Sequence, residues 1–195
     1  MLTVSVDLVV VESQLAAGEL SCPCSGVLAP WGYARQRTVV GGDRVGRVRP
    51  RRSRCQACLV THVLLPAGLL LRRAHVVELI GRVLELAALG VSARRIAVTV
   101  GVARSTVRGW IDRLRHRGDV LSRHFTAWLL WLAPSTSRID PVGSLVADAV
   151  AAVTAAGMVA VDALAVGSVW QFASAATGGR LLANTSSPFP APWTT

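Results

Sequence analysis

The sequence predicts a mainly α chain in three parts: a small β ribbon over residues 1–66, a three-helix unit over 67–120 and an Ala/Val-rich helical segment over 121–195. Three observations lead there. Four cysteines fall in two tight pairs, Cys22/Cys24 and Cys55/Cys58, with Gly-rich turns between them. Apolar residues recur at helical spacing from Val76 to Leu114. The final third is rich in Ala, Val and Trp, lacks the alternation of strands, and closes on a Ser/Pro-rich tail over 187–193 that suits no regular element.

Composition narrows the class. The 195 residues carry 21 cations, all of them Arg, against 11 acids, for a net charge of +10. The excess is confined to the middle. Residues 31–123 hold 19 Arg against Asp43, Glu78, Glu85, Asp112 and Asp119, a net of +14, while the flanks are mildly acidic. A basic block of this kind implies a polyanionic partner. Mean hydropathy of +0.47 excludes a disordered chain. The start of the chain has no early cation, and Asp7 interrupts its apolar stretch, which reads as non-secreted and cytoplasmic.

The elements follow in order. Val4, Val6, Leu8 and Val10 alternate as a short strand does. Residues 27–33, 37–40, 47–49 and 60–65 are expected ribbon strands, separated by Gly41-Gly42 and Pro50. Two turns that each supply two thiolates provide the four soft ligands of a tetrahedral zinc ion, so Cys22, Cys24, Cys55 and Cys58 are the candidate ligands of one zinc in a zinc ribbon. The second pair has the usual two residues between its cysteines; the first, Cys22-Pro23-Cys24, has one. Four arrangements are compatible with that spacing. Zinc sits in a distorted first knuckle, or His62 replaces one cysteine, or the thiols are free in a ribbon without metal, or they form a disulfide. Arg47, Arg49, Arg51, Arg52 and Arg54 form a dense run that would add phosphate contacts or a solvated face.

Val76, Val77, Ile80, Val83, Leu84 and Ala87 give a first helix that ends at Gly90. Ser92 caps a second over 93–100, Gly101 supplies a turn of positive φ, and a third runs from about 104 to 117 with Val107, Trp110, Ile111 and Leu114 on one face. The opposite face carries Arg104, Ser105, Arg108 and Asp112, with Thr106 and Arg113 at its margins; Arg94 and Arg95 lie at the start of the second helix. Arg108 is placed for a bidentate guanine contact, Ser105 and Thr106 for phosphates or base edges.

This spacing is similar to the helix-turn-helix of bacterial repressors, resolvases and transposases, with Ala97 as the small residue four before the turn glycine. The text from Gly101 to Trp110 looks like transposase-type recognition helices. Together with the run from Arg54 through Cys55, Cys58, Thr61 and His62 to Pro66, the chain resembles over about residues 20–118 the N-terminal, DNA-binding half of insertion-sequence transposases. The resemblance implies double-stranded DNA as partner, read by Arg94, Arg95, Arg104, Ser105, Thr106, Arg108 and Arg113. Two positions depart from it: Ala103 stands where Ser or Thr caps the third helix, and Gly109 lies inside that helix.

A transposase needs a further domain in which three carboxylates hold magnesium. The acids after the third helix are Asp119, Asp140, Asp148 and Asp162, three of them in an Ala/Val-rich segment without strand alternation, and the short remainder does not fit a complete nuclease core. The expected function is therefore a non-enzymatic DNA-binding protein, a regulator or transposition accessory. A transposase remnant and a membrane-associated regulator are the alternatives. Phe125, Trp128, Leu129 and Leu132 are expected on a separate amphipathic helix that stops before Pro134, and residues 145–170 on one long or two shorter apolar helices suited to homodimerisation. The uncharged run 149–161 is too short to span a bilayer, for which about 20 residues are needed.

Overall fold

The computed structural model describes residues 1–42, 44–137, 139–183 and 189; the 187–193 tail thus lies almost wholly outside the described residues. The elements run β1 (Leu2–Val4), α1 (Leu8–Ala17), β2 (Leu28–Tyr33), β3 (Arg37–Gly41), β4 (Arg44–Val48), β5 (Arg51–Cys55), β6 (Thr61–Pro66), α2 (Val77–Ala88), α3 (Ala93–Val100), α4 (Arg104–Leu132), α5 (Leu145–Leu164) and α6 (Val169–Ala176). Helix accounts for about 48% and strand for 19%, so the chain is mixed α/β rather than mainly α.

A four-stranded sheet of order β1-β6-β5-β2 carries the cysteines; β1 runs parallel to β6 and the other pairs are antiparallel. The expected strand over 4–10 is not formed. The chain leaves β1 at Val4, and Asp7 accepts a hydrogen bond from the Val9 amide to start α1, which Gly18 ends at φ 71°. Only Val11 and Leu15, one turn apart, are buried on α1, where they pack with Leu28, Leu64, Cys22 and Cys55. The alternation misleads because Leu8, Val9 and Val10 are exposed. Strands β3 and β4 form a separate hairpin, docked by Val39 and Val48 on Leu65, Leu69 and Val76.

Helices α2 to α6 share one apolar core that extends from Leu70 to Phe189. α4 is a single helix of 29 residues, not two. It passes without a break through position 120, where the sequence suggests a change of segment, and joins Val107 to Leu129 in one buried stripe. α5 packs along α4 through small residues, Ala149, Ala152, Ala156 and Ala160, and its first turn sits on Gly118, where a Cβ would lie 2.5 Å from the Leu145 carbonyl oxygen. α6 closes on α2: the Trp170 ring covers Gly81, and its Nε1 donates to Glu85 at 2.8 Å. α5 has the length and mean hydropathy, 1.7, to cross a membrane, and half of that window is buried inside the protein.

Three arginines of the basic block pin this assembly from within. Arg37 donates to the Leu70 carbonyl, Arg73 to that of Leu182, and Arg117 to those of Arg180 and Ala183 while stacking on Phe189. Burial lowers the pKa of all three guanidinium groups.

Candidate functional site

The ligand atoms of Cys22, Cys24, Cys55 and Cys58 all lie within 4.8 Å of one another, and the four could hold one metal ion. Cys22 and Cys55 are buried; Cys24 and Cys58 face solvent. Across the pairs, Cys24 Sγ is 3.5 Å from Cys55 Sγ and Cys22 Sγ is 3.7 Å from Cys58 Sγ. Four sulfurs bound tetrahedrally at about 2.3 Å stand about 3.8 Å apart, so the donor set and its spacing fit a tetrahedral thiolate site.

The one-residue deficit of the first pair is absorbed in its own turn. In the second knuckle the Cys55 amide donates to the Val60 carbonyl, five residues on, and Leu59 takes the left-handed conformation at φ 62°. In the first, the Cys22 amide donates to the Gly26 carbonyl, four residues on, and Ser25 is left-handed at φ 64°. In each loop the left-handed residue directly follows the second cysteine. Both turns therefore close in the same way, one residue apart in length, and deliver their sulfurs to one point.

Gly26 makes the close approach feasible. A Cβ there would lie 2.6 Å from Cys55 Sγ and 2.8 Å from the Ala57 Cβ. The sequence signal for this position was only its place after the first pair. His62, which the spacing allows as a substitute ligand, stands behind the cluster instead. Its Nε2 is 3.3 Å from Cys22 Sγ, and its Nδ1 is 3.4 Å from the Met1 amine. An amine that donates to Nδ1 leaves the ring proton on Nε2, directed at the sulfur. Burial lowers the His62 pKa and so favours this neutral ring, with the Met1 charge acting in the same direction.

The thiols share protons unequally. The Cys58 amide, 3.4 Å from Cys55 Sγ, outweighs burial and, with the Ala57 amide, lowers the Cys55 thiol to about 6. Cys22 is pushed up to about 12: the Cys24 amide favours its thiolate, but burial and the three neighbouring sulfurs oppose it more strongly.

The basic site is built on α3 and α4. Ser92 accepts from the Arg95 amide to start α3, and Gly101, at φ 66°, ends it with its N–H on the Ala97 carbonyl. Ala103 makes no side-chain cap. Opposite the buried Val107, Trp110, Ile111 and Leu114, the side chains of Arg104, Ser105 and Arg108 are exposed, as are Arg94 and Arg95 on α3. Thr106 and Arg113 are half-buried. Arg113 turns back along the helix, donating to the Gly109 carbonyl at 2.7 Å over the space that a side chain at 109 would occupy.

Arg104 and Arg108 do not stand alone. With Arg115 and Asp112 they line a cavity of about 400 Å³, whose other wall is the α2–α3 turn from Gly90 to Ser92. Arg115 is held there by Asp112 at 2.7 Å. Arg115 is not among the sequence-predicted contacts, although it lies three helical turns from Arg104 on the same flank.

No family model, no curated protein and no solved structure matches this chain. Its function must be read from the cysteine cluster and the basic helix face.

Proposed function

We propose that this chain is a non-enzymatic, cytoplasmic protein that binds duplex DNA through α3, the Gly101 turn and the first turns of α4, and that its four cysteines hold one zinc ion. The observation that carries the DNA reading is the division of α4: Val107, Trp110, Ile111 and Leu114 are buried, while Arg104, Ser105 and Arg108 are exposed directly after a left-handed glycine turn. A helix held from behind in this way presents its N-terminal turns to a major groove, with Arg108 on guanine and Arg104 and Ser105 on base edges or phosphates. The net charge of +14 over residues 31–123 supplies the long-range attraction. The resemblance of residues 20–118 to the DNA-binding half of insertion-sequence transposases supports the same partner and a role in regulation or transposition.

Among the described residues, the four cysteines are the one group of three or more side chains able to hold a metal ion. Three of the acids form ion pairs: Asp112 with Arg115, Asp119 with Arg123, Glu12 with Arg51. Four thiolates in a tetrahedron favour zinc or iron among available metals; zinc would neutralise the crowded sulfurs and fasten β2, β5 and the loop before β2.

A gel-shift series with random-sequence duplex between 50 and 200 mM salt tests the DNA reading. Binding that weakens by about a thousandfold or more across this range is expected for six or more phosphate contacts; no binding at 50 mM salt overturns it. Metal analysis of untagged protein should find about one zinc per chain. Iron, or no metal, overturns the zinc assignment.

A further inference from the structure

The arginine run from 44 to 54 is one block in the sequence, but the fold divides it. Arg49 and Arg51 stack on Tyr33, 5.1 and 4.4 Å from the ring centroid, and Arg54 stacks on Trp31 at 4.7 Å. Arg51 also pairs with Glu12 of α1 at 3.0 Å. These guanidinium groups are committed to the cysteine-bearing sheet. Arg44 and Arg47 lie on β4, in the separate hairpin; both are exposed and neither has an ion pair, hydrogen bond or ring partner among the described residues.

The hairpin is fixed beside the recognition helix rather than beside the cysteines. The Val40 amide donates to the Ala74 carbonyl at 2.7 Å, and the Val76 amide to the Val40 carbonyl at 2.9 Å, so β3 is stitched to the segment just before α2. Within that segment, the His75 ring meets Trp110 of α4 edge-on, 4.9 Å between centroids. Burial, and after it the charge of Arg113, lowers the pKa of Arg73 two residues before His75, so the hairpin root and the Arg113 turn of α4 are neighbours. Strand spacing then sets β4 about 10 Å beyond the 74–76 segment.

The hairpin also has a docked face and a free one. Its register pairs Thr38 with Arg47 and Val40 with Val45, on the side opposite the buried Val39 and partly buried Val48. Val45 is 71% exposed, a large apolar side chain in water between two cations that have no partner among the described residues. β4 has a strand neighbour on one side only, so its outer edge of backbone donors is open. Arg47 stands on that free face and Arg44, which pairs with Gly41 at the hairpin tip, on the other, so the two cations flank the open β4 edge and a polyanion running along that edge meets both.

We propose that the β3–β4 hairpin is a second duplex-DNA contact, which lies along the backbone next to the groove entered by α4, with Arg44 and Arg47 on phosphates. The inference rests on the duplex-DNA reading of α3 and α4 and extends it. The contact is sequence-independent: it lengthens the footprint on the Arg113 side and raises affinity equally for all sequences.

The experiment uses the full chain and a labelled random-sequence duplex of about 30 base pairs, with binding measured across a salt series and by hydroxyl-radical footprinting. The double variant Arg44→Gln/Arg47→Gln should lower the slope of log K against log salt by about 1.8, two contacts at about 0.9 each, and remove protection at one end of the footprint. Its thermal midpoint and metal content should match the unmodified chain, because both side chains are exposed. Arg44→Lys/Arg47→Lys should keep the slope, since a phosphate contact needs charge more than a fork. An unchanged slope and footprint in the Gln pair overturns the hairpin contact while leaving α4 as the DNA-binding element. A Lys pair that loses as much slope as the Gln pair overturns it too, as the effect would then not follow charge. If the unmodified chain fails to bind duplex at 50 mM salt, the DNA reading itself falls, and the two failures are told apart by that first titration.

Discussion

The cysteine-bearing sheet and the helical body are held together by different means. The sheet encloses a cluster of six buried residues, Val11, Leu15, Cys22, Leu28, Cys55 and Leu64, two of which are themselves candidate metal ligands. The helical body shares one apolar core that draws on α2, α3, α4, α5 and α6. A core as small as the first lies in the size range where domains depend on a metal or disulfides; the second needs neither. The lesson is that one chain can place its specificity and its stability in separate hands. Exposed arginines on α4 rest on a body that apolar packing supports, while the sheet beside it stands or falls with four sulfurs.

Metal removal is the sharpest way to break this contrast. Structural zinc contributes on the order of 10 kcal/mol or more of apparent binding free energy. A chelator, or Cys55→Ser, should therefore abolish amide protection in β2, β5 and β6 while α4 and α5 stay protected in hydrogen exchange. Loss of both at one chelator concentration would show a single cooperative unit and refute the division. The reciprocal test is Phe125→Ala. Phe125 is fully buried between α4 and α6, edge-on to Phe172, and its truncation should cost about 3–5 kcal/mol. In a urea titration that loss should appear in the helical signal, with metal content unchanged.

A smaller effect is expected at Gly26. The added methyl of Gly26→Ala meets Cys55 Sγ and Ala57, an overpacking worth about 1–3 kcal/mol, and should speed metal release to a competing chelator; release at the unmodified rate would mean that the knuckles are looser than their contacts suggest. The smallest concerns the helical side alone. α4 starts without a side-chain cap, so Ala103→Ser should stabilise the helical body by about 1 kcal/mol, read as a higher denaturation midpoint with the sheet unaffected. No rise in midpoint would show that the α3–α4 turn cannot place a serine oxygen on the free amides.

The helix-turn-helix portion was legible in the sequence because its determinants are local. Ser92 caps, Gly101 takes the left-handed turn, and the inward residues of α4 repeat at helical spacing. The four cysteines were legible for the same reason, as chemistry written in close pairs. Elements decided by distant packing were not. α1 carries three consecutive valines and presents a strand-like pattern, yet Asp7, Gly18 and the small apolar surface over the cysteines make it a helix. The third helix was expected to end near 117, with Phe125 to Leu132 on another helix; α4 instead continues through Gly118, which seats Leu145, a contact 27 residues away that no local rule discloses. Residues 37–40 and 47–49 were read as ribbon strands because they lie between the cysteine pairs; the backbone bonds of Val40 to Ala74 and Val76 instead set them in a separate hairpin, docked on Leu65 and the segment before α2.

The matched closure of the two knuckles bears on how a short insertion or deletion can be tolerated. A change of one residue inside a β structure ordinarily turns every following side chain to the opposite face. Here the difference between Cys22-Pro23-Cys24 and Cys55-Gln56-Ala57-Cys58 is cancelled before the loop ends, because the left-handed residue moves with the second cysteine and the closing hydrogen bond moves with it. What the two loops hold in common is a geometry and not a count. A chain of this kind can thus vary the number of residues between its sulfurs without shifting the strands that carry them.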